Sequence, residues 1–116
     1  MTDKVVVLVT CGTPGDAGRI AADLVEQRLA ACVNVLEAPV RSTYRWKGKR
    51  ETAKEYLLLI KTARKRLRAL RAAVERLHPY EVPEFIALPI IAGSPAYLRW
   101  LDECLRPAGR ARRAKS

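Results

Sequence analysis

The run His78-Pro79-Tyr80-Glu81-Val82-Pro83-Glu84 rules out helix at one point of the chain and so divides it. Each proline sets its own φ, lacks an N–H and pushes the preceding residue toward extended backbone. The segment is therefore expected to be a stiff connector between a helix before it and a strand after it. It also gathers the single histidine of the chain, two carboxylates and a phenol. Two readings stand side by side. In one, the fixed backbone aims these polar groups into a site. In the other, Pro79 stops the helix, His78 neutralises its C-terminal dipole and the glutamates are solvated.

Upstream, Lys4 to Thr10 is apolar and β-branched, the pattern of a strand inside a sheet. Thr13-Pro14-Gly15-Asp16 reads as a helix start, with Thr13 as N-cap, Pro14 at the first helical position and Asp16 as the acidic third residue. From Cys32 to Trp46 the period changes to two, interrupted at Pro39, with Val40, Ser42, Tyr44 and Trp46 on one side. The chain turns at Lys47-Gly48-Lys49 and returns over Thr52 to Lys61, with Glu55, Leu57, Leu59 and Lys61 on one side, so the two runs form an antiparallel hairpin. Thr62 is expected to cap the next helix, whose Leu67, Leu70, Val74 and Leu77 make one apolar stripe. A fourth strand is expected over Phe85 to Ile91, with Pro89 placing it at a sheet edge or marking its end. Ser94-Pro95 then opens a last helix bearing Tyr97, Trp100, Leu101 and Leu105.

The order βαββαβ with a further helix is the ferredoxin-like split βαβ pattern, an α+β fold with two helices on one face of an antiparallel sheet. One domain is expected over residues 1–107, followed by a basic, disordered tail over 108–116. The last helix is too short to shield the whole second face, and a long hairpin would project beyond it. Self-association is expected on both counts.

The three cysteines, Cys11, Cys32 and Cys104, form no close pair and read as reduced thiols, and no apolar run reaches membrane-spanning length. A cytoplasmic protein without a membrane partner is expected. The net charge of +10 draws on Arg64, Lys65, Arg66, Arg68 and Arg71 along one helix and on Arg110, Arg112, Arg113 and Lys115 in the tail. No zinc finger, RNP signature or recognition-helix turn accompanies them, so sequence-specific nucleic-acid binding is not expected, whereas weak attraction to polyanions is. Nucleophile elbow, metal triad and phosphate-binding glycine loop are all missing, which argues against an enzyme; His78 or Glu81 as general acid or base is the alternative.

Several separate phrases in one order carry a resemblance. They are Leu24-Val25-Glu26-Gln27-Arg28-Leu29-Ala30-Ala31-Cys32-Val33-Asn34, Tyr44-Arg45-Trp46-Lys47-Gly48-Lys49, Leu58-Leu59-Ile60-Lys61-Thr62, the His78 to Glu84 run, and Tyr97-Leu98-Arg99-Trp100-Leu101. Together they resemble the CutA divalent-cation tolerance family from about Val5 to Leu105. The resemblance implies a homotrimer, an architecture similar to PII signalling proteins, a link to tolerance of copper and other divalent ions, and no established catalytic activity. It also implies metal binding by a strand-end cysteine and by the histidine of the HPY phrase. Here the histidine is His78, Val9 stands where the cysteine is expected, and Cys11, two residues on, faces the same way.

The expected metal ligands are thus His78 and Cys11, with weak binding of Cu²⁺ or another divalent ion and no cofactor required. The expected ligand cleft lies between subunits and involves Lys61, Tyr80, Glu81, Glu84, Trp46 and Cys32. Cys32 reads first as a small buried hydrophobe, and Trp46 equally as hairpin packing.

Overall fold

The computed structural model describes residues 1–107. The tail expected to be disordered, 108–116, lies outside the described residues.

Strand β1 is Lys4–Cys11, followed by helix α1, Pro14–Glu26. The Thr13 hydroxyl accepts from the Asp16 N–H at 3.1 Å, so the helix starts as its cap residues dictate. The expected Cys32 to Trp46 strand is two strands, β2 (Cys32–Val35) and β3 (Val40–Trp46), with the break at the stretch containing Pro39. Strand β4, Lys49–Ala63, is longer than expected at both ends. Lys47 and Gly48 both have positive φ, 51° and 81°, which makes the connection a two-residue turn whose twist matches that of the paired strands.

Thr62 does not cap the second helix. It is still in β4, fully buried, and its hydroxyl donates to the Leu29 carbonyl at 2.7 Å. A 3₁₀ turn at Arg64–Arg66 leads into α2, Leu67–Leu77, without a side-chain cap. Strand β5 is only Ile86–Pro89, and α3, Pro95–Leu105, begins with the Ser94 hydroxyl accepting from the Tyr97 N–H.

The main sheet runs β2-β4-β1-β5, antiparallel throughout, with β3 paired to the first half of β4 as a projecting arm. Pro89 therefore ends an edge strand, where its missing N–H leaves no ladder bond unmade. Val5, Val7, Val9, Leu58 and Ile60 point to one face and are closed over by Ile20, Leu24, Leu70 and Val74 of the two helices. This is the sandwich read from the element order. The molecule extends 56 × 27 × 25 Å.

The register fixes the opposite face, because residues directly across an antiparallel pair share a side. Val6, Leu8 and Thr10 of β1 line up there with Lys61, Leu59 and Leu57 of β4 and with Leu88 and Ile86 of β5. Helix α3 covers only one end of this face, where Leu101 and Leu105 pack on Ala31 and Ala63. Lys4 Nζ holds it there through Asp102 at 2.9 Å, and Arg28 Nη1 donates to the Cys104 carbonyl at 3.1 Å. No helix among the described residues is long and apolar enough to cross a membrane.

Candidate functional site

The uncovered face ends in a crevice of about 770 Å³ at the root of the arm. Thr10 and Glu55 form its floor, Tyr44 and Trp46 one wall, and the Tyr80 to Glu84 connector the other.

The connector is held by the residue that starts it. Arg19 of α1 donates to the Leu77 carbonyl at 3.3 Å and ties down the end of α2. The next residue, His78, is buried and gives both ring nitrogens to backbone. Its Nε2–H donates to the Thr10 carbonyl at 2.7 Å, while Nδ1 accepts from the Tyr80 N–H at 3.1 Å. These partners assign the neutral ring with the proton on Nε2. The ring also stacks obliquely on Tyr80, with centroids 4.6 Å apart.

Tyr80 is thereby aimed across the crevice, and its hydroxyl donates to Glu55 Oε2 at 2.8 Å. Burial, and then the bond to Glu55, raises the phenol above its ordinary pKa of 10.0. Gly12 makes room for this contact, since a Cβ there would sit 3.1 Å from the Tyr80 hydroxyl. Glu84 titrates above its usual range, through burial first and the nearby Glu55 charge second. The crevice is thus acidic in a chain of net charge +10.

Cys11 does lie beside His78, with Sγ 3.7 Å from Nε2. The pair does not fit a metal ion. Both imidazole nitrogens are engaged, and burial, with the Asp16 charge behind it, pushes the Cys11 thiol up to about 11. Coordination through Nε2, the nitrogen that faces Cys11, would strip the Thr10 carbonyl of its partner and ionise a buried thiol. No group of three or more potential ligands among His, Cys, Asp and Glu occurs among the described residues.

The fold brings together Trp46, Tyr80, Glu81 and Glu84 as expected, but not Lys61 or Cys32. Those two pair with each other across β2 and β4. Lys61 is six residues along β4 from Glu55, about 20 Å at strand rise. The shared edge expected of Lys61 and the connector does not exist within a subunit, because the connector returns to the Thr10 end of β1 and Lys61 pairs with Val6 near its start. Glu55 was not singled out from the sequence. Its signal was an acid on the same side of β4 as Leu57 and Leu59, where solvation is the ordinary reading.

Comparison with known proteins places the chain in context. Residues 5–104 match the family model described as CutA1 divalent ion tolerance protein. A "Protein CutA homolog" from Xenopus laevis is 50% identical over 95 residues, covering 82% of this chain and 62% of the relative, so the chain spans less than two-thirds of that protein. A "Divalent-cation tolerance protein CutA" from Thermus thermophilus is 48% identical over 98 residues, covering 84% of this chain and 94% of the relative. The crystal structure of CutA from Xylella fastidiosa superposes with a TM-score of 0.87 at 41% identity, covering 90% of this chain and all of that one.

Proposed function

Because the chain belongs to the CutA1 divalent ion tolerance family, we propose that it acts as a homotrimeric binding protein for divalent cations, in which the crevice at Tyr80 to Glu84 is completed by a neighbouring subunit. The observation that carries this reading is the uncovered apolar strip of Val6, Leu8, Leu57, Leu59, Ile86 and Leu88. Ile86 and Leu88 are 48% and 46% exposed, on an edge strand with a free ladder. Such a surface is removed from water by another copy. Contacts between unlike patches close into a ring, and three is the number the family resemblance implies.

Glu55, Glu81 and Glu84 line the crevice with carboxylate oxygens, the donor type that suits hard divalent cations better than thiolate-seeking ones, but within one copy the three do not converge as a ligand group. One copy supplies too few ligands, so further donors come from the adjoining one. Lys61 and Cys32 reach the crevice only by that route. The free cysteines fit a reducing compartment such as the cytoplasm. The family description names ion tolerance, not a reaction.

Light scattering on the purified protein should return three times the 13.0 kDa subunit mass. A folded monomer at micromolar concentration would overturn the assembly. Calorimetric titration with Mn²⁺ and Cu²⁺ should show Glu84→Gln weakening binding about tenfold or more, as expected for one charged contact. His78→Asn should leave the affinity of the folded protein unchanged. The opposite pattern would return the site to His78.

A further inference from the structure

We propose that the surface formed by the 3₁₀ turn, the exposed side of α2 and the end of α3 is a sequence-independent binding surface for the phosphate backbone of nucleic acids. It is separate from the crevice and does not depend on the reading given to it. Two segments far apart in sequence, the 3₁₀ turn and the end of α3, meet here. A depression of about 310 Å³ is lined by Lys65, Arg66, Asp102, Leu105, Arg106 and Pro107. Arg64, Lys65, Arg68 and Arg71 are exposed beside it or along the adjoining helix.

These cations do not serve the fold. They crowd the start of α2, where no acidic residue offsets them and the helix dipole opposes them. Arg64 and Arg68, then Arg68 and Arg71, are like charges at helical-neighbour spacing. Neutralisation is slight: Arg71 meets Glu75 at 3.7 Å, and Asp102 is already held by the buried Lys4. Arg66 is the exception, since it donates to the Leu105 carbonyl and caps α3, leaving its buried Nε without a partner. From Pro107 the chain continues to Arg110, Arg112, Arg113 and Lys115 with no acid among them.

The patch is rich in arginine, whose planar fork binds phosphate oxygens in pairs. The exposed side of α2 offers Arg68, Ala69, Arg71, Ala72, Glu75 and Arg76, with no aromatic or long aliphatic group to enter a bilayer or stack on a base. That favours a phosphate backbone over a lipid surface and predicts indifference to base sequence.

The test is fluorescence anisotropy of the full chain with labelled 30-mer duplexes of two unrelated sequences, from 50 to 200 mM salt. Both should bind alike, and contacts to about five phosphates would weaken affinity about 500-fold over that range. The combined Arg64→Gln, Arg68→Gln, Arg71→Gln variant should reduce the salt effect to about tenfold, while Lys at the same positions should preserve it. The Lys variant separates loss of charge from loss of fold. Absence of binding at 50 mM salt, or a Gln variant that binds as the parent does, would overturn the proposal. So would binding lost only when Arg110, Arg112 and Arg113 are changed to Gln, or tighter capture by phosphatidylserine vesicles at equal phosphate concentration.

Discussion

His78 spends both ring nitrogens on backbone, one on Thr10 of β1 and one on the turn it begins at Tyr80. Its isolation in the sequence singled the position out, but composition could not distinguish a ligand from a brace. The group it braces carries the chemistry. Tyr80→Phe removes the single hydroxyl paired with buried Glu55, so unfolding in urea should show a loss of about 1–3 kcal/mol, the cost of an unmet buried acceptor. Glu84 provides a second handle. Its folded pKa lies above the ordinary 4.5, so the native state holds its proton longer than the unfolded chain. Stability contributed by that proton is present below the unfolded value and declines as pH rises toward the folded one. Glu84→Gln should therefore gain stability over the parent at pH 7 but not at pH 4, read from urea midpoints.

The elements begin where local chemistry starts them. Thr13-Pro14 and Ser94-Pro95 each cap a helix as read, because a cap needs only its own few residues. Thr62 failed the same test: the longer β4 keeps it in the sheet, and Leu29, far away in sequence, takes its hydroxyl. The arm rests on a turn in which Lys47 bears a positive φ that lysine tolerates poorly. Lys47→Asn would place Asn-Gly in this turn and should stabilise the arm by about 0.5 kcal/mol, within the range for relieving such backbone mismatch. Hydrogen exchange should slow at the β3 and β4 amides and stay unchanged in β1.

The sheet has one face closed by α1 and α2 and one face left open between α3 and the crevice. Leu88→Glu puts a charge into that open strip without touching the helix-covered core. The expected outcome is a folded subunit whose scattering mass falls toward 13.0 kDa and whose divalent-cation binding weakens with it. A trimer with undiminished cation binding would refute the role given to the strip.

Periodicity, caps and prolines are local properties, and from them the order of strands and helices, the arm and the stiff connector were all legible in the chain. The partners of Glu55, the separation of Lys61 and Cys32 from the crevice, and the meeting of the 3₁₀ turn with the end of α3 were not. Each depends on strand register and on which end of a strand a loop returns to, and those follow from burial of the two-helix core as a unit. A pattern with a period of two states which side a residue faces. How far along the sheet it lies from a residue on another strand is a property of the folded pairing.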